Sequence, residues 1–266
     1  MPDNSNITKT LPNCNLCKTN PADHRGSHIF PRFLGVTLLT TDDNNRASFT
    51  TDIIDPELKQ KPKQDTPKIP HILCCGCEAK IGNWERKFAN EFYYPFKKGV
   101  YQNNCSITKN DGGFKVLINN ASDYANFKLV VYSMAFRAAV SGHIAFSDLH
   151  LKEHQKETLR QILNDEIPFK DVPVFVMTSE SDAQAGKNFI FASSIFGDVA
   201  WLWANEFMFF IDFEEKDEPF QKFGYFKMQN DNKVKVAVLE NDQWDKFRDT
   251  VTTISAKQRL KDKASR

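Results

Sequence analysis

Five of the six cysteines of this 266-residue chain fall in its first third, at Cys14, Cys17, Cys74, Cys75 and Cys77, with Cys105 apart. Cys14-Asn15-Leu16-Cys17 is one C-x2-C pair, and Cys74-Cys75-Gly76-Cys77 holds another. Two such turns offer four thiolates to one ion in a tetrahedron, the closed coordination of structural Zn2+. The long segment between the pairs is no obstacle, because loop-closure entropy grows only with the logarithm of length. Cys75 would replace Cys74 only through a tighter C-x-C bite, so the ligand set is read as Cys14, Cys17, Cys74 and Cys77. Disulfides explain the pattern less well, since the opening MPDNSNITKT has neither the basic nor the apolar region of a secretory leader and a cytoplasmic setting is expected.

Two further residues beside these turns can do chemistry. His28 sits in Ser27-His28-Ile29-Phe30-Pro31, a short strand stopped by proline. Glu78 follows the last thiol directly. It opens a run in which Ile81, Trp84, Glu85, Phe88 and Phe92 recur at helical intervals, a helix that Pro95 is expected to end. The order is therefore a thiol turn, a strand with a histidine, a polar loop, a second thiol turn and a helix.

That order resembles the HNH endonucleases, the ββα-metal or treble-clef nucleases, across roughly residues 12–95. The stretches that carry the likeness are CNLC (14–17), SHIFP (27–31) and LCCGCE (73–78). It is nearest to a bacterial group with an SHIIP-like segment, an LC-x2-CE helix and an extra downstream domain, which YSMAFRAAVSG (132–142) and LHLKEHQKETLRQIL (149–163) also fit. The resemblance implies a zinc-stabilised treble clef and metal-dependent cleavage of nucleic-acid phosphodiesters, with DNA as substrate and phage defence as the setting. It makes His28 the catalytic base that activates water and Glu78 a ligand of a catalytic Mg2+ or Mn2+. Ser27 stands where the family has Asp or His as a metal ligand, and Ile69 where it has an asparagine that orients the base. Gln64 or His71 would have to serve as orienter instead. The alternative reading is a non-catalytic zinc-binding interaction or nucleic-acid-binding protein on the same scaffold.

These residues need elements to hold them. Residues 1–98 are read as the zinc module, with a polar loop at 40–70, and residues 99–266 as a helical segment followed by an α+β domain, giving an α+β chain overall. DYANFKLVVYSMAFRAAVSG (123–142) has the apolar spacing of a buried helix, in which Arg137 needs a partner. Glu85 is the expected one, in a pair that should survive exchange of the two charges. Residues 147–165 read as an amphipathic helix, where His150 and His154 would share a face. Strands are expected at 172–177, 187–196, 199–213 and 233–240, and a helix closes the chain. The aromatic run around Trp201, Trp203, Phe207, Phe209 and Phe210 reads as core, with a base-stacking platform as the lesser option.

Composition narrows the classes. Lys and Arg number 35 against 34 Asp and Glu, so a basic face for nucleic acid must be assembled locally. No apolar run is long enough to span a membrane. No Walker-type phosphate loop, dinucleotide glycine fingerprint or serine-nucleophile elbow occurs. A protein partner is expected, if any, on the C-terminal domain.

Overall fold

The computed structural model describes residues 11–35, 48–49, 62–63, 66–98, 105–109, 115–120, 122–167, 172–180, 190–195, 198–213, 228 and 233–264. Strand β1 (Ser27–His28) is followed by a single helical turn, α1 (Arg32–Gly35). β1 spans two residues, shorter than the strand SHIFP suggests, and ends before Pro31 is reached. Within the polar loop, β2 (Ser48–Phe49) pairs with β3 (Pro62–Lys63). Next comes β4 (Lys68–Ile69), which returns antiparallel to β1 with Ser27 opposite Ile69 and His28 opposite Lys68. Helix α2 (Cys75–Phe88) then starts at the second thiol turn, with Cys74 as its N-cap.

Pro95 does not end this helix. The chain widens into a π-helical turn over Ala89–Tyr93 and resumes as α3 (Tyr94–Lys97), with Pro95 in its first turn. Proline has no N–H to give to a carbonyl one turn back, and the widened π-helical turn directly before it is where the helix absorbs that missing bond. The hairpin of β5 (Cys105–Lys109) and β6 (Lys115–Asn119) was not foreseen. Helix α4 (Tyr124–Val140) begins where the Asp123 carboxylate accepts from the Asn126 N–H. Helix α5 (Glu153–Leu163) starts six residues later than the sequence suggests, so His150 precedes it and shares no helix face with His154.

The remaining elements are β7 (Val174–Ser179), β8 (Ile190–Ile195), β9 (Val199–Ala204), β10 (Phe207–Asp212), β11 (Val234–Leu239) and the closing helix α6 (Asn241–Ala264). What read as one strand over 199–213 is a tight hairpin, β9 to β10. Its turn lies at Asn205, whose φ of 53° places it in the left-handed region that asparagine tolerates better than most residues. Seven strands form one sheet in the order β5-β6-β11-β7-β10-β9-β8, antiparallel except for the β11–β7 pair. Strands β7, β9 and β10 are buried at every position, as strands covered on both faces must be.

One apolar core runs from Cys14, Leu16 and Phe30 through α2, α4 and α5 to Phe207 and Phe209 on one face of the sheet. A second, smaller cluster on the other face gathers Trp201, Trp203, Phe210 and Trp244 beneath α6. Trp201 and Phe210 have no exposed surface, so the aromatic strand is core and offers no platform for bases. Phenylalanine, 23 of the residues, supplies much of the joint between the halves. Phe127 on α4 lies 4.8 Å from Phe88 and 5.0 Å from Phe92, and Phe92 lies 5.6 Å from Phe207, between ring centroids. Arg137 finds the expected partner, with its Nη2 2.5 Å from Glu85 Oε1. Among the described residues, no helix is long and apolar enough to cross a membrane.

Candidate metal centre and the histidine beside it

Backbone pairing brings the two thiol turns together. Asn15 donates from its N–H to the Ile72 carbonyl at 2.9 Å, and its side-chain amide donates to the same oxygen at 3.1 Å. His24 donates to Leu73 O at 3.2 Å, and His71 donates to His24 O at 2.9 Å. The His71 ring also lies 2.9 Å, through Nδ1, from the Ala22 carbonyl. Its work is to join the two turns. The first turn closes by Lys18 N–H to Cys14 O at 2.9 Å, with Lys18 at φ 64°.

Cys14, Cys17, Cys74 and Cys77 meet with all four sulfurs within 4.8 Å of one another. The Cys17–Cys74 separation is 3.9 Å. A tetrahedron with metal–sulfur bonds of about 2.3 Å has edges of about 3.8 Å, so the cluster has the size to hold a metal ion such as zinc. The donor chemistry agrees. Burial pushes the Cys14 and Cys77 thiols up, which keeps them neutral unless a cation offsets the cost. Burial raises Cys17 too, but hydrogen bonds from Thr19 and Asn20 outweigh it and bring this thiol to about 6. Cys75 is exposed and stands outside the cluster, so Cys74 is the ligand of its pair. Among the described residues, no other group of three His, Cys, Asp or Glu side chains comes together in this way.

Helix α2 starts at the cluster. Cys74 Sγ accepts from the Cys77 N–H at 3.4 Å, and Asp23 Oδ1 accepts from the Cys75 N–H at 2.8 Å. The Cys75 amide is the main influence holding the Asp23 carboxyl below its usual range. Glu78 lies in the first turn, half-buried. Its Oε2 is buried and meets no hydrogen-bond donor among the described residues.

His28 lies on β1, half-buried, and is held at two points. Its Nδ1 is 2.9 Å from Thr66 Oγ1, just before β4. Its carbonyl accepts from Arg137 Nη1 at 2.5 Å. Arg137 also donates from Nε to Ser133 O at 3.2 Å, so one buried guanidinium ties β1, α2 and α4 together. Ser27 is buried, and its hydroxyl is 3.4 Å from His24 Nδ1. Of the two expected orienters of His28, His71 is committed to Ala22 and Gln64 lies outside the described residues. Thr66 is the residue that reasoning from the sequence missed. A threonine in a polar loop gives no signal until the strand pairing shows which side chain meets the ring.

On its other flank the first thiol turn is held by α5. Arg160 donates to Leu16 O at 2.9 Å and pairs with Glu157 and Glu166. Beside it lies a cleft of about 530 Å3, lined among others by Lys18, Phe136, His154 and Lys156. Lys156 is paired with Glu153, so the cleft has little net charge. Compared with known proteins, the chain matches no family model, no curated protein and no solved structure.

Proposed function

We propose that the chain is a metal-dependent endonuclease of HNH type that cuts DNA, acting in defence against phage. The observation that carries this reading is that His28 lies on β1, which pairs with β4 shortly before the second thiol turn, and that Glu78 lies in the first turn of the helix that starts at that turn, beside a four-thiol cluster. In this reading the four thiols hold structural Zn2+ in a treble clef. His28 takes a proton from the attacking water. Glu78, with a buried carboxylate oxygen lacking a donor among the described residues, is the residue suited to a hard divalent ion. Mg2+ or Mn2+ bound there would stabilise negative charge on the phosphate.

The test is cleavage of plasmid or phage DNA by the zinc-loaded chain with Mg2+ or Mn2+, wild type beside His28→Ala. Loss of a general base predicts a fall of about 100-fold or more. Equal and metal-independent activity in both proteins rejects the reading.

One observation favours a second reading, a non-catalytic zinc-binding scaffold for a protein or nucleic-acid partner. Ser27, at the position of a metal ligand in the HNH pattern, is buried with its hydroxyl on His24. Stable nucleic-acid binding by the full chain without turnover supports this alternative.

A further inference from the structure

We infer that Thr66 is a positioning residue that sets the tautomer of His28, with the imidazole Nδ1–H donating to Thr66 Oγ1 and the lone pair left on Nε2. This rests on the reading of His28 as a general base. The two atoms are 2.9 Å apart, and Thr66 is 4% exposed, so water competes little for the contact. Threonine is branched at Cβ and stiff about χ1, which suits it to holding a fixed oxygen against a ring. The backbone of His28 is gripped separately by Arg137, itself buried, so ring and main chain are both restrained.

A hydroxyl can either accept from Nδ1–H or donate to a bare Nδ1. Only the accepting arrangement survives the proposed reaction. The Nε2 lone pair takes a proton from water as the water oxygen bonds to phosphorus. The scissile P–O bond breaks with its electron pair on the leaving oxygen. The resulting imidazolium still carries Nδ1–H and still donates to Thr66 Oγ1, a bond that favours the charged ring. In the opposite arrangement Nε2 carries the proton and cannot act as the base. Thr66 thereby does the orienting that Ile69, opposite Ser27 on β4, cannot do.

The experiment is 15N NMR of the zinc-loaded full chain with labelled histidine, at a pH where His28 is neutral, for wild type, Thr66→Val and Thr66→Ser. The expected wild-type spectrum has a protonated Nδ1 and a bare Nε2 on His28, and Thr66→Ser keeps that pattern. Thr66→Val should move the ring toward the Nε2–H form. In DNA cleavage it should lower kcat by about 10- to 100-fold with KM little changed, and Thr66→Ser should recover most of the loss. A wild-type His28 with its proton on Nε2 overturns the inference, and so does a Thr66→Val protein whose tautomer matches wild type. If Thr66→Val does not fold, the wild-type and Thr66→Ser spectra still decide. A chain that cuts no DNA removes the nuclease reading, while the tautomer spectra separately decide the role of Thr66.

Discussion

Arg137 shows why a buried charge is costly to disturb. Its guanidinium serves Glu85, the His28 carbonyl and Ser133 from inside the core. Arg137→Met leaves Glu85 without this guanidinium and removes its bonds to the His28 and Ser133 carbonyls, and should cost about 3–5 kcal/mol in urea unfolding. The expected rescue by charge exchange should fail, because a glutamate at 137 cannot donate to the His28 and Ser133 carbonyls. The ion pair itself was legible in the sequence, since a lone charge in an apolar helical run demands an opposite one. The carbonyl contacts were not, because they depend on how closely β1 packs on α4. Glu166 makes a complementary prediction. The Arg160 guanidinium, followed by the Asn164 side chain, holds its carboxyl down at about 2 from an ordinary 4.5. It is therefore ionised in the fold, and its contribution is complete above about 4.5 and lost as pH falls through about 2. In thermal melts, Glu166→Gln should lie below wild type near neutrality, and the gap should narrow as pH falls from 4.5 toward 2.

At the scale of elements, the chemistry of turns decided what the sequence could reveal. Periodicity located α2 and α4, and spaced cysteines located the turns that α2 grows from. The β9–β10 hairpin was missed because its strands are apolar on both faces and its turn contains neither glycine nor proline. Asn205 makes that turn, and its side-chain amide donates to the Leu34 carbonyl at the end of α1. The adjacent Glu206 pairs with Lys97 on α3 at 3.1 Å. Asn205→Ala would need a left-handed backbone without the help of a polar side chain and would lose the bond to Leu34. It should destabilise by about 1–3 kcal/mol in urea titrations, with Asn205→Gly milder because glycine accepts the same φ. The misjudged Pro95 has a similar origin, since nothing in the residues announces the π-helical turn that lets a second helical segment begin.

At the scale of the whole molecule, the four-thiol cluster is a keystone for more than the first hundred residues. The apolar core that includes Cys14, Cys74 and Cys77 continues without a break to the sheet. Arg160 fastens the first thiol turn to α5, and the β9–β10 turn fastens α1 and α3 to the sheet. Removing the metal from a four-thiolate site generally removes much of the folding free energy. The predicted outcome is that a strong chelator, or Cys14→Ser or Cys77→Ser, abolishes the near-ultraviolet circular dichroism of the sheet tryptophans together with N-terminal structure, in one transition. A sheet that keeps its tryptophan signal after metal loss would show the two parts to be energetically separate.

The position of β11 has a consequence for biosynthesis. It is the only strand of the described sheet that bridges the β5–β6 hairpin and the β7-to-β10 group, and it is translated after the other six. A ribosome that stalls before Val234 therefore holds two half-sheets with β6 and β7 bare along the sides they should share. Each of those raw borders presents unsatisfied main-chain donors and acceptors to any neighbouring polypeptide. Successful maturation depends on Val234–Leu239 arriving before a foreign strand does.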